Sequence, residues 1–219
     1  MTESIERIAI LGAGTMGHGI AHVCAAAGYA TTLFDLTSDA VETGLKKVQT
    51  NLDKGIARGK VTQEQKDTTL GNLRGSADFD DAVNGVNLVI EAVPEKLDLK
   101  HDVLGRAAAL AAPGAIMGTN TSSLSIDAIA SALPDPSRVI GLHFFNPVHI
   151  MKLLEIIVGP KTDPAVYEIA AAFGERIGKQ TIRISDVPGF ATSRLGLVIG
   201  LEAIRMVEQG VGSPEDIDK

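Results

Sequence analysis

The stretch from Ile8 to Gly19 constrains this chain more than any other, because it joins a short apolar strand to a small-residue helix through a G-x-G-x-x-G turn. Gly12 permits a tight turn off the strand, Gly14 leaves room for a pyrophosphate beside the backbone, and Gly17 lets the helix lie close to the sheet. Thr15 and Met16 complete this cradle, where unpaired N–H groups at the helix start favour an anion. Residues 31–35 make a second strand that ends on Asp35, 18 positions after Gly17 and near where an acid meets the ribose of a dinucleotide. An aspartate there also serves as a helix N-cap or a turn acid, but strand, turn, helix, strand and acid in this order point to nucleotide binding. No Arg or Lys stands between Asp35 and Ala40 to hold a 2′-phosphate, so NAD is favoured over NADP.

Alternation continues beyond this unit. The first helix runs to Ala27 and stops at Gly28 as at a C′ glycine. A polar segment at about 38–74 follows, with Val41, Leu45, Val48 and Leu52 at helical spacing and a second helical stretch from Thr62. It reads as a helical hairpin projecting from the sheet. Strands are expected at 86–93, 115–119, 139–144, 153–158 and 181–184, with helices at about 96–111, 125–132 and 163–177 between them. The expected fold is α/β, a Rossmann-type, doubly wound, mostly parallel sheet over residues 1–185. Asp186-Val187-Pro188-Gly189 breaks that pattern, and residues 186–219 read as the start of an all-α domain. Ser213 with Pro214 opens a helix only a few residues before Lys219, so the chain is expected to stop inside that domain.

Length and charge narrow the function. With 219 residues and 45% hydrophobic content, the chain can bury one full core and part of another. A formal charge of −7 gives no footprint for nucleic acid or an anionic membrane, so a nucleotide or CoA substrate needs a local basic cluster. One exists: Asn51–Lys60 places Lys54, Arg58 and Lys60 within seven positions, either as a solvated helix end or as a phosphate-binding turn. No stretch approaches the length of a membrane span, and residues 1–7 show no basic segment followed by an apolar run, so a cytoplasmic protein is expected. Cys24, the single cysteine, reads as packing. His18 and His22 stand four apart, but Gly19 takes the place of the glutamate of H-E-x-x-H, and no metal is expected.

In a doubly wound sheet the ligand lies over the carboxyl ends of the strands, so polar residues just after apolar runs are the candidates for chemistry. They are Glu91 to Lys96, Asn120 to Ser123, His143 to Pro147, and Glu155 within an apolar strand. His143 ends a strand and precedes two aromatics, which suits a base that removes a hydroxyl proton. A buried Glu155 needs a partner, and pairing with a histidine would supply one. The plainer alternatives are a core histidine and a glutamate on an edge strand.

These motifs together, Gly12 to Gly17, Glu91 to Glu95, Asn120 to Ser123, His143 to Pro147 and Asp186 to Phe190, resemble the 3-hydroxyacyl-CoA (3-hydroxybutyryl-CoA) dehydrogenases over nearly the whole chain. The resemblance implies NAD-dependent, reversible oxidation of an (S)-3-hydroxyacyl-CoA, short-chain such as 3-hydroxybutyryl-CoA, to the 3-ketoacyl-CoA. It implies that His143 is the base and Glu155 the acid that orients it, that Ser122 touches substrate and nicotinamide, and that Asp35, Glu91, Lys96, Asn120 and Asn146 contact the cofactor. Asn51 and Arg58, with Lys54, fall near the positions that contact CoA. Ser193 replaces the asparagine with which better-known members polarise the substrate; a serine hydroxyl still donates, with shorter reach. A homodimer is implied for the full-length protein, with the dimer contacts in the distal part of the helical domain. Another NAD-linked hydroxy-acid dehydrogenase of the L-gulonate type, or a structural or NAD-sensing protein on the same scaffold, would carry much of this pattern too.

Overall fold

The computed structural model describes residues 5–219, so the reading of the first residues as free of a leader lies, for 1–4, outside the described residues. The elements are β1 (Arg7–Leu11), α1 (Gly17–Ala26), β2 (Ala30–Phe34), α2 (Ser38–Ala57), α3 (Gln63–Gly71), β3 (Leu73–Ser76), α4 (Phe79–Val83) and β4 (Leu88–Glu91). They continue with α5 (Leu97–Leu110), β5 (Ile116–Thr119), α6 (Ile126–Ala130), β6 (Val139–Phe144), β7 (Leu153–Val158), α7 (Pro164–Arg176), β8 (Gln180–Ser185), α8 (Thr192–Glu208) and α9 (Pro214–Ile217). Eight strands form one sheet in the order β3-β2-β1-β4-β5-β6-β7-β8. All neighbours are parallel except β6 and β7, which run antiparallel. The chain leaves β1 toward β2 on one side and returns to β4 on the other, which opens a crevice at the carboxyl ends of β1 and β4.

Two apolar layers sandwich this sheet. Ile8, Ile10, Leu33, Ile90, Leu142 and Phe144 pack with α1 and α7 on one face; Ala9, Leu11, Phe34, Val89, Met117 and Ile157 pack with α4, α5 and α6 on the other. The two-residue period of a strand assigns these sides, and each large apolar group so buried contributes about 1.5–3 kcal/mol. Gly17 shows how tightly α1 docks: a Cβ there would lie 1.6 Å from the Gly12 carbonyl oxygen.

The hairpin differs from expectation in two ways. It lies against α1 instead of projecting, because Val41, Gly44, Val48 and Leu52 are buried on α2, and a Cβ on Gly44 would crowd Leu33 and Ala13. Its second helix also ends at Gly71, and Leu73–Ser76 adds an edge strand beside β2, followed by the short α4. At the other end of the chain, α8 has no buried residue, and Leu195, Leu197, Val198, Ile199, Leu201 and Ile204 stand exposed on it. Among the described residues, no helix is long and apolar enough to cross a membrane.

Candidate active site

The glycine loop meets the demands of a dinucleotide. A Cβ on Gly14 would touch nothing within 4 Å, so the space above the loop is open, and no side chain caps the start of α1. Gly12 adopts φ +106°, a conformation that side chains disfavour. The Ala13 N–H donates to Asp35 Oδ2 at 2.8 Å and the Leu36 N–H to Asp35 Oδ1 at 2.7 Å, so the carboxylate is aimed across the loop. Its remaining lone pairs suit ribose hydroxyls. Thr15 is exposed and Met16 half-buried at the mouth. These residues fit NAD.

Next to the loop, the ends of β4 and β5 are stitched together. Glu91 is fully buried; its oxygens accept from Lys100 Nζ (2.8 and 2.9 Å), Thr119 Oγ1 (2.6 Å) and the Val93 N–H (2.8 Å). The carboxylate thus turns into the protein, where Lys100 offsets the desolvation an unpaired acid would suffer, and Glu91 meets the crevice with its backbone at the end of β4. The Asn120 side-chain oxygen accepts from the Phe144 N–H at 2.9 Å, and the Asn120 N–H donates to the Glu91 carbonyl. Asn120 thereby holds the ends of β5 and β6 together. Lys96, at the start of α5, and Asn146, just after β6, are exposed.

Across the antiparallel pair, His143 on β6 stands directly opposite Glu155 on β7. His143 Nδ1 lies 2.7 Å from Glu155 Oε2, and the Thr192 N–H at the start of α8 donates to Glu155 Oε1 at 2.9 Å. Glu155 is 0% exposed and β8 covers its other side, which removes the edge-strand alternative. A carboxylate at Nδ1 fixes the tautomer with the hydrogen on that nitrogen and leaves the Nε2 lone pair to accept a proton. His143 is 8% exposed, with ring centroids of Phe145 and Phe190 at 4.6 and 5.9 Å. Phe190 holds φ +47°, a strained left-handed conformation for an aromatic residue, while its ring is buried beside the histidine. Ser193 follows Thr192 and is half-buried; Ser122 is exposed just past β5.

A groove of about 970 Å³ lies between the hairpin and the turn after β6, lined by Asn51, Lys54, Arg58 and Lys60 on one side and His149, Lys152 and Arg176 on the other. Five cations and no carboxylate line it, in a chain whose net charge is −7. His22 forms part of its floor and stacks on His149 at 5.4 Å. Burial, and after it the charges of His149, His18 and Lys179, bring the His22 pKa down to about 4. Cys24 is buried, and burial pushes its thiol pKa up, which leaves it a packing residue. Among the described residues, no group of three or more His, Cys, Asp or Glu side chains is placed to hold a metal ion.

Sequence reasoning missed Lys100, Lys152 and Arg176. A signal for the first was present: Leu97, Lys100, Leu104 and Ala107 form one helical stripe, so Lys100 occupies a position where the pattern calls for an apolar residue. Lys152 and Arg176 carried no signal, because only the packing of α7 beside the turn after β6 brings them to the groove.

Comparison with known proteins agrees with this geometry. The family description of the 3-hydroxyacyl-CoA dehydrogenase NAD-binding domain matches residues 7–187, and that of the C-terminal domain matches residues 189–219. The chain is 38% identical over 218 residues to a 3-hydroxybutyryl-CoA dehydrogenase of Bradyrhizobium diazoefficiens, which spans 100% of this chain and 74% of that one. It is 40% identical over 220 residues to the mitochondrial hydroxyacyl-coenzyme A dehydrogenase of Rattus norvegicus, covering 98% and 70% of the two. The crystal structure of (S)-3-hydroxybutyryl-CoA dehydrogenase from Ralstonia eutropha superposes with a TM-score of 0.93 at 37% identity, over 97% of this chain and 75% of that one.

Proposed function

The chain belongs to the 3-hydroxyacyl-CoA dehydrogenase family, and from that premise we propose that His143, oriented by Glu155, is the base in NAD-dependent interconversion of a short-chain (S)-3-hydroxyacyl-CoA and its 3-keto ester. The observation that carries this reading is the 2.7 Å contact between His143 Nδ1 and a buried Glu155, on strands next to the nucleotide crevice. The chemistry that bound NAD would supply is a hydride acceptor for C3. The protein's own part is to take the hydroxyl proton on His143 Nε2 and to hold the resulting imidazolium against Glu155. In the reverse direction the same nitrogen returns the proton to the carbonyl oxygen. Phe145 and Phe190 keep water from the ring, and a positioned imidazole of this kind supplies roughly 10²–10⁴-fold of rate.

Ser122 contributes a hydroxyl to substrate and nicotinamide, and Ser193, at the first turn of α8, donates toward the acyl carbonyl. Asp35 binds the ribose, while Lys96, Asn120 and Asn146 border the nicotinamide half of the site. Asn51, Lys54 and Arg58 hold the CoA part of the substrate; five cations lining one groove suit the several phosphate charges of a CoA ester more than the single carboxylate of a free hydroxy acid. The apolar exposure of α8 fits a homodimer in the full-length protein. A cytoplasmic location is part of the proposal.

The test is oxidation of NADH by the full-length protein with acetoacetyl-CoA, beside the same assay with acetoacetate. Turnover of the ester and none of the free acid is the expected result. Preference for the free acid would move the protein to the L-gulonate type, and no turnover of either would leave a structural or NAD-sensing role.

A further inference from the structure

Lys100 and Glu95 lie one step from the residues that carry the proposed chemistry. Lys100 is fully buried on α5, and its ammonium reaches both oxygens of Glu91 and, at 3.1 Å, Glu95 Oε2. Glu95 turns its other oxygen to the segment after β5. Oε1 accepts from the hydroxyl of Thr121, from the Ser122 N–H at 3.1 Å and from Ser123 Oγ at 3.2 Å. Thr121 Oγ1 in turn accepts from the N–H groups of Ser123 and Leu124. The segment is thus tied down at every residue from 121 to 124, while the Ser122 hydroxyl has no protein partner among the described residues.

A buried ion pair is weak evidence for stability, since an apolar group of similar shape often replaces it at no loss. Position 100 lies on the apolar stripe of α5, where such a group would fit. What a cation adds there is geometry: it lets two carboxylates approach one another, and one of them grips the Ser122 segment.

We propose that Lys100 is a positioning residue for the dehydrogenase reaction, acting through Glu95 to hold the 121–124 segment so that the Ser122 hydroxyl faces substrate and nicotinamide. This rests on the role given to Ser122 above.

The experiment combines steady-state kinetics with hydrogen exchange on the full-length protein. Lys100→Met leaves Glu91 and Glu95 facing each other without a cation. Its kcat with acetoacetyl-CoA should fall about 10- to 100-fold, the scale of a small misplacement at a reacting centre. Affinity for NADH should hold, because Asp35 and the glycine loop are untouched. Amides of residues 121–124 should exchange about tenfold faster, while those of β7 and β8 keep parental rates. Adding Glu91→Gln removes one of the opposed charges and should recover most of the lost kcat, which a purely structural role for Lys100 would not predict. If Lys100→Met does not fold, Glu95→Gln keeps the Lys100–Glu91 pair and tests the last link alone, with the same local rise in exchange expected. Unchanged exchange at 121–124 in a folded variant, or a loss of stability with kcat intact, would overturn the proposal. A parent that does not turn over acetoacetyl-CoA sinks the functional reading, while the exchange data still decide whether Lys100 fixes this segment.

Discussion

His22 carries a ring nitrogen, Nδ1, that is buried without a hydrogen-bond partner among the described residues, and burial holds its pKa at about 4 against an ordinary 6.5. The folded protein therefore keeps this imidazole neutral where an unfolded chain would protonate it. The contribution to stability is complete above pH 6.5 and is lost as pH falls from 6.5 to about 4, a total on the order of 3 kcal/mol. Thermal unfolding of His22→Phe, which keeps a ring on His149, should show a smaller loss of Tm between pH 7 and pH 5 than the parent. Identical acid sensitivity would shift the cause to other groups. Asp35 supports a second prediction at this scale. It should accept ribose hydroxyls and repel a 2′-phosphate, so NADH should bind far more tightly than NADPH in a fluorescence titration. Leu36, beside it, is 84% exposed and can be changed without disturbing packing. The pair Asp35→Ser and Leu36→Arg should therefore move the preference toward NADPH by about 10- to 100-fold, the worth of one charged hydrogen bond. Equal affinity of the parent for both cofactors would remove Asp35 from this role.

Elements differed in how much their residues disclosed. β1, β4 and β6 were legible because each is a run of apolar residues long enough to be buried on both faces, and α1 because its glycines and alanines have one use beside a sheet. Leu73–Ser76 was not legible: four residues, with Arg74 and Gly75 at their centre, join the sheet only because β2 offers a free edge. The same limit applies to side chains. His143 and Glu155 sit 12 apart in sequence and meet through a strand register, which the flanking aromatics and an acid in an apolar run made visible. Glu91 was placed on the right strand end, but its partner Lys100 was not foreseen, since nothing local indicates that Lys100 folds back on it. The turn between α2 and α3 was left open between a solvated end and a phosphate site. Its place in a groove with Lys152 and Arg176 gives the second reading an electrostatic basis. Charge reversal at Lys54 and Arg58 should raise KM for acetoacetyl-CoA about tenfold or more with kcat little changed, because these groups bind a remote part of the substrate. NADH affinity should not move. An unchanged KM in the double variant would return the turn to an ordinary solvated surface.

In the whole molecule the sheet and α8 are joined through the dyad itself, since Glu155 accepts from both His143 and the Thr192 amide at the start of α8. α8 leaves six large apolar side chains uncovered between its charged residues Arg194, Glu202, Arg205 and Glu208, and such a helix becomes stable when other elements cover it. Sedimentation of the full-length protein should give twice the monomer mass, and a monomer at micromolar concentration would contradict the dimer. The central claim is that His143 and Glu155 act as one unit, and a double-mutant cycle on kcat measures it most directly. His143→Gln should remove most turnover while leaving NADH binding nearly intact, and Glu155→Gln should also lower kcat. The double variant should be little worse than His143→Gln alone, because the contribution of the glutamate passes through the histidine. Losses that multiply independently would mean that the two residues do not work together, and the mechanism proposed for this protein would be wrong.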